Sequence, residues 1–242
     1  MAKDWDIDLN ADLGEGCGDD EAILACVSSA NIACGGHTGD ADSMRTAVRA
    51  ALKLGVKIGA HPSFEDRQNF GRSEMQLPAE IVYAQVYAQI RALQAICAEQ
   101  GAECVHVKPH GALYNQAARD LALARVVVSA IRDAGAHLCV VGLAGSALIT
   151  AAREAGMPFA QEAFADRRYN PDGSLMSRQL AAAVITDNAE ALAQAKQMVA
   201  HHSVTAQDGS RLTLEVDTLC LHGDGAHALA LARQLRAWLD AG

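Results

Sequence analysis

The stretch Val105-His106-Val107-Lys108-Pro109-His110-Gly111-Ala112-Leu113-Tyr114-Asn115 decides how the chain is read. A β-branched run ends in a lysine, a proline, a histidine and a glycine, and an apolar helix candidate follows. A buried strand of this kind delivers Lys108 and His110 to its C-terminal end, where Gly111 turns the chain away. An unpaired buried ammonium is costly, so Lys108 is expected to face a polar mouth beside an acid, Asp12 or Glu162. Other strand candidates also end in polar residues that a packed core rejects. A site assembled from the ends of many strands belongs to a β/α barrel or an open α/β sheet.

Working outward, residues 4–12 alternate, with Ile7 and Leu9 on one face and Asp6, Asp8, Asn10 and Asp12 on the other. An all-polar strand face suits the inside of a barrel whose interior reaches a mouth. The glycine-rich loop Gly14-Glu15-Gly16-Cys17-Gly18 follows, and Asp19, Asp20 and Glu21 open a short helix at the end that favours acids. Strand candidates recur at 30–34, ending near His37; at 56–60, ending at His61; at 137–141; at 158–164, ending in Asp166-Arg167; and at 218–221, ending in His222-Gly223-Asp224. Helices are expected between them: from an Asp40 or Asp42 cap to about Leu54, from Pro78 to about Gln100, over 120–134, to Ala155, over 188–201 and over 226–239. Residues 204–216 alternate around Asp208-Gly209 and read as a β-hairpin. The polar loop 64–76 lacks periodicity and reads as a lid. Seven core strands alternating with helices imply a parallel sheet, since parallel neighbours need crossovers. Periodicity alone leaves closed barrel and open sheet both standing; the polar inward faces favour closure. Nothing divides the 242 residues, which read as one domain.

Half the residues are hydrophobic and a fifth are charged, so a large core forms and disorder is not expected. A formal charge of −9 argues against a nucleic-acid partner. The seven cysteines contain no C-x-x-C pair and point to neither a disulfide framework nor a zinc knuckle. The N-terminus reads as no signal peptide and no apolar run has the length of a membrane span, so a cytoplasmic protein without membrane contact is expected.

The strand ends bring together Asp8, Asn10, Asp12, His37, His61, Lys108, His110, Glu162, Asp166, Arg167, His222 and Asp224. Four histidines at four strand ends are hard to explain by packing and point to a polar active site. Carboxylates and imidazoles bind divalent metals, yet no histidine pair has the H-x-x-x-H spacing, so ligands would have to converge from separate strands. A hydrogen-bonded acid/base network is the other reading, and the two stay open. No G-x-S-x-G elbow and no Walker A motif is present, and Cys34 reads as core. Gly142 to Ser146, between a strand and a helix, offers backbone donors but fits plain turn chemistry equally. Arg67, Arg72, Arg167 and Arg178 sit in loops among glycines and aspartates, where forked binding of a carboxylate or phosphate is available.

Seven motifs then carry a resemblance, in order along nearly the whole chain: Asp8-Leu9-Asn10-Ala11-Asp12-Leu13-Gly14-Glu15-Gly16, Asn31-Ile32-Ala33-Cys34-Gly35-Gly36-His37-Thr38-Gly39-Asp40, Gly59-Ala60-His61-Pro62-Ser63, Phe70-Gly71-Arg72, Val107 to Asn115, Phe164-Ala165-Asp166-Arg167 and Cys220-Leu221-His222-Gly223-Asp224. The sequence resembles the LamB/YcsF family, identified with the A subunit of bacterial 5-oxoprolinase. It departs at Gly36-His37-Thr38, where the family usually has a larger residue before the histidine and alanine after it. The resemblance implies a distorted seven-stranded parallel β/α barrel of the glycoside hydrolase/deacetylase type. It also implies ATP-dependent opening of the 5-oxoproline lactam to L-glutamate with partner subunits B and C, the nucleotide carrying a divalent cation, Mg2+.

The candidate residues suit that chemistry. Asp12, His37, His61 and Glu162 are candidates for proton transfer, Lys108 and Arg167 for stabilising the developing anion, and His110 is a further catalytic candidate. Asn10, Arg67, Arg72, Asp166, Arg167, Arg178, His222 and Asp224 are candidates for holding substrate or phosphate. Two rivals remain: a metal-dependent deacetylase or carbohydrate hydrolase on the same barrel, and a non-catalytic ligand-binding subunit.

Overall fold

A computed structural model describes residues 7–16, 20–178, 180–221 and 228–241. Seven parallel strands close into a barrel: β1 (Asp8–Leu13), β2 (Ser29–Ala33), β3 (Lys57–His61), β4 (Cys104–Val107), β5 (Cys139–Leu143), β6 (Phe159–Phe164) and, as the last barrel strand, β9 (Thr218–Leu221), which pairs with both β6 and β1. Closure settles the alternative that periodicity left open. A register shift between Ile58 and Gly59 makes the barrel irregular where β3 meets β4.

Eight α-helices accompany the strands among the described residues: α1 (Asp20–Leu24), α2 (Ala41–Leu54), α3 (Ala79–Glu99), α4 (Gly111–Arg119), α5 (Leu121–Ala134), α6 (Ala147–Glu154), α7 (Asn188–His201) and α8 (Ala228–Ala241). The α2 start is fixed by Asp40, whose carboxylate accepts from the backbone N–H of Asp42 and Ser43 while the Ser43 hydroxyl accepts from the Asp40 N–H. The helix expected over 120–134 is α5, and Asp120 both ends α4 and caps α5, its carboxylate accepting from the backbone N–H of Ala122 and Leu123. The hairpin β7 (Ser203–Thr205) and β8 (Arg211–Thr213) pairs antiparallel outside the barrel around Asp208-Gly209. No described helix is long and apolar enough to cross a membrane.

The apolar core is a shell between strands and helices, with Leu9, Ala11 and Leu13 of β1 buried on that side. The barrel interior is polar. At its lower end Ser29 and Thr218 donate to the Asp8 carboxylate at 2.6 and 2.8 Å. One layer up, Asn10 donates to Thr218 and Glu162, Asn31 donates to Asn10, and the His106 imidazole donates to the Asn31 carbonyl at 2.9 Å. Burial lowers the His106 pKa to about 4, so the ring is neutral there and reads as part of this network.

His106 fits because its neighbour across the β3–β4 seam is Gly59. A Cβ on Gly59 would lie 2.0 Å from His106 Nε2, in a ring already pinned by Asn31. Gly59→Ala is therefore expected to destabilise the fold by about 3 kcal/mol, as overpacking of a fixed core does. Combined with His106→Ala it should lose less than the sum of the single losses, because the clash is removed. Equilibrium denaturant unfolding of the three variants checks this; additive losses would show that the seam relaxes freely.

Candidate active site at the barrel mouth

The ammonium of Lys108, one residue beyond β4, is the centre of the mouth. Its Nζ lies 2.8 Å from Glu162 Oε1 and 3.0 Å from Asp12 Oδ1, and it donates to Asn10 Oδ1 at 3.3 Å and to the Cys220 sulfur at 3.1 Å. Both acids named from the sequence thus flank it at once. Burial opposes the charge, but Asp12, the Cys220 sulfur and Glu162 together overcome this and hold the Lys108 pKa well above the usual lysine range. Lys108 is thereby held in its charged form.

Glu162 is fully buried and engaged at both oxygens, Oε1 by Lys108 and Asn10 and Oε2 by the Tyr114 hydroxyl at 2.7 Å. Tyr114 comes from the first turn of α4, and burial, with Glu162 next to it, raises its pKa well above the ordinary phenol value. The structure places Glu162, expected as a proton-transfer group, beneath Lys108 and apart from the residues that line the cleft, and its carboxylate holds the lysine. Asn10 is likewise an interior residue of the network and no part of the cleft wall.

Beside Lys108 lie three histidines, His61 at the end of β3 and His37 and His110 in the connections after β2 and β4. The His61 Nδ1–H donates to the Lys108 carbonyl at 2.7 Å, and its Nε2 lies 3.3 Å from Asp12 Oδ2. The His110 Nε2–H donates to the Phe70 carbonyl at 2.9 Å, and its Nδ1 lies 3.0 Å from His61 Nε2. His37 stacks on His110 with ring centroids 3.6 Å apart, and its Nε2 meets Glu15 Oε1 at 3.0 Å. Burial lowers the pKa of His37, and burial with the neighbouring imidazoles holds His110 well below the usual histidine value. Burial also works against a charged His61, yet the Asp12 carboxylate prevails and raises it. Asp12 therefore bridges Lys108, through Oδ1, to His61, through Oδ2.

The loop 64–76 lies over this cluster. Asp66 pins it, Oδ1 accepting from the Asn69 backbone and side chain and Oδ2 from the Ser73 N–H. Phe70 is left-handed at φ 55°, an uncommon conformation for a bulky residue, and its carbonyl takes the His110 proton. The Gly71 carbonyl accepts from the Ala112 N–H at the start of α4. Arg67 does not reach the mouth. The short 3-10 turn Arg67–Asn69 directs it away, and its Nη1 donates to the carbonyls of Gly35 and Gly39 at 2.7 and 2.9 Å. Arg67, expected to bind an anion, is placed here as an anchor of the His37 loop, apart from the residues that line the mouth. The departure at Gly36 has a local counterpart: a Cβ there would lie 2.5 Å from both Gln89 Oε1 and Ser63 Oγ. Gln89 occupies that space, accepting from the Ser63 N–H and donating to the Ser63 carbonyl.

A cleft of about 1230 Å³ opens above these groups. Asp12, Glu15, His61, Lys108, His110 and Tyr114 line one side, and Arg72, Arg167 and Arg178 reach it from the loops. The segment 166–178 forms the far wall, tied by the Arg167 Nη2 bond to the Met176 carbonyl. Burial, with Arg178 nearby, lowers the Arg167 pKa to about 10, and its Nε is buried without a hydrogen-bond partner. Asp166 does not line the cleft; its carbonyl accepts from Ile185, and the charge of its carboxylate favours a charged Arg167. Ser146 caps α6 at the cleft edge, its hydroxyl accepting from Ile149. His222 and Asp224 lie outside the described residues.

Glu15, Tyr114, Asn31 and His106 are site or supporting residues that the sequence reading passed over. Each carried a signal: Glu15 is the acid between two glycines just past β1, Tyr114 lies four residues after His110, and Asn31 and His106 share the strand face of the polar residues two positions away.

Fold and mouth together define a parallel β/α barrel of the glycoside hydrolase/deacetylase type, with a polar cleft at the strand C-termini. The same fold occurs in a family 4 carbohydrate esterase from Streptomyces lividans in complex with acetate (13% identity, 99% of this chain and 90% of that one, TM-score 0.50). It also occurs in a putative cellobiose-phosphate cleavage protein from Enterococcus faecalis (12% identity, 96% and 90%, TM-score 0.51). A profile of the LamB/YcsF family matches residues 7–242, and the chain belongs to that family. It is 43% identical to a lactam utilization protein from Thermus thermophilus over 97% of this chain and 96% of that one, with a TM-score of 0.89.

Lys108→Met keeps the stem and leaves Asp12 and Glu162 without their cation. Breaking a buried ion pair from one side costs about 3–5 kcal/mol. We expect that loss in denaturant unfolding, partly recovered in Lys108→Met/Glu162→Gln, which also removes one stranded charge. An unchanged stability of Lys108→Met would show that the two acids are not held by this lysine.

Proposed function

We propose that this chain is the A subunit of an ATP-dependent 5-oxoprolinase, opening the lactam of 5-oxoproline to L-glutamate together with subunits B and C. The observation that carries the reading is the 43% identity, over nearly the full length of both chains, to a protein named for lactam utilization. The cleft supplies what the reaction asks for. The substrate carries a carboxylate, for which Arg167, with an unpartnered Nε, and Arg178 provide a cationic wall. The lactam carbonyl gains negative charge during attack, and Lys108 is a fixed cation in the cleft floor. Asp12 Oδ2 and His61 Nε2 lie 3.3 Å apart at the same floor, a pair suited to taking a proton from attacking water and passing one to the departing ring nitrogen.

ATP enters the proposal because an amide carbonyl resists water, and transfer of the γ-phosphoryl group to its oxygen makes it a good electrophile. The nucleotide, its Mg2+ and the partner subunits belong to this reading alone. The chain carries no Walker A motif, so the transfer is assigned to the assembled subunits.

Glutamate release from 5-oxoproline and ATP, followed with this chain alone and with subunits B and C added, tests the proposal. Turnover is expected only with the full set, together with stoichiometric ADP and phosphate. Arg167→Gln should raise KM more than it lowers kcat, since it removes the carboxylate contact. An inert full set, or lactam opening by the isolated chain without ATP, would overturn the reading.

A further inference from the structure

The inward nitrogens of His61 and His110 face each other at 3.0 Å. Each ring commits one proton elsewhere. The Lys108 and Phe70 carbonyls can only accept, so they fix the hydrogen on His61 Nδ1 and on His110 Nε2. With both rings neutral, two lone pairs are aimed at one another in a buried place, and a proton or a metal ion has to lie between them. Glu15 Oε1 joins them, 3.5 Å from His110 Nδ1 and 4.0 Å from His61 Nε2. Three acceptors gathered around one point form an environment that suits a cation.

The geometry points to a binding site for a single zinc-class divalent ion, held by His61 Nε2, His110 Nδ1 and Glu15 Oε1, with its remaining position open to the cleft. The donor–donor edges of 3.0, 3.5 and 4.0 Å bracket the ~3.3 Å that a tetrahedral ion at about 2.0–2.1 Å from its ligands would set. Two imidazoles and one carboxylate suit zinc and its neighbours rather than Mg2+, which takes oxygen ligands. All three ligands line the cleft, whereas His37 does not. His37 also differs in its protons: Nδ1 is buried without a partner, so the hydrogen belongs on Nε2, where it is donated to Glu15. It orients the carboxylate, as the Lys108 and Phe70 carbonyls orient the two rings, and outer partners of this kind tune metal affinity. The four residues lie with one ligand atom each inside a 4.8 Å group. Asp12, 3.3 Å from His61 Nε2, links this site to Lys108.

The site is independent of which bond the protein cuts, so the test reads metal alone. The full-length chain is stripped with a chelator, titrated with Co2+ and followed by visible absorption, with circular dichroism to monitor the fold. One equivalent should bind with the intense bands of four-coordinate Co2+, and Zn2+ should displace it. Glu15→Gln, which keeps the shape of the side chain, and His110→Asn should abolish the bands. His37→Gln should keep them with affinity about 10–100-fold weaker. Folded wild-type chain that takes up no Co2+, or that binds it unchanged in folded Glu15→Gln, would overturn the site and show that the two imidazoles share a proton instead.

Discussion

A lysine ammonium inside a barrel is the constraint on which the rest of the structure depends. Removing such a charge from water is costly, and it persists only where opposite charge and hydrogen-bond acceptors replace the lost hydration. Here the replacement is Glu162 from β6, Asp12 and Asn10 from β1, and the sulfur of Cys220 from β9. No two neighbouring strands of a flat sheet could bring these to one point. The closed parallel barrel does, since β9 joins β6 to β1 and the Lys108 strand faces them across the interior. Closure of the fold and assembly of the site are therefore one event. The polar layers beneath, from the Asn31–His106 pair down to Asp8, continue the same hydrogen-bond network.

The mouth has two unlike sides. One is rigid and rich in acceptors: three histidines with Glu15 and Asp12, roofed by a loop that Asp66 and the Gly71 carbonyl pin in place. The other is a cationic wall built from the segment after β6, with Arg167 and Arg178. A small molecule bearing a carboxylate at one end and a polarised carbonyl at the other would span them with Lys108 below. The strained carbonyl of Phe70 matters here because it fixes which nitrogen of His110 faces the cleft.

Much of this was legible in the chain. Alternation over residues 7–12 identified the polar inner face of β1, and the repeated pairing of an apolar strand with a polar end located the mouth. The capping aspartate at 40 and the turn at Asp208-Gly209 marked their elements because those signals are local. Residues whose role depends on distant partners were harder to read. Glu162 looked like a proton-transfer group because it stands near a strand end, but register places it a layer below the cleft, next to Asn10 and Tyr114. Arg67 shared its loop composition with Arg72, yet one turn of 3-10 helix sends the two in different directions. Glu15 was hidden among glycines, since nothing in local sequence says that its carboxylate meets a histidine cluster.

Lys108 is, on these grounds, held in its charged form at the cleft floor, where it is placed to meet what the cleft binds. This is tested most directly by NMR of the chain labelled with 15N at the lysine side-chain nitrogens, with Lys108 assigned through Lys108→Arg. One ammonium signal is expected to stay protonated at pH values where the surface lysines have titrated, and to shift when 5-oxoproline is added. A Lys108 signal that titrates with the surface lysines, or that ignores the ligand while other cleft residues respond, would contradict it.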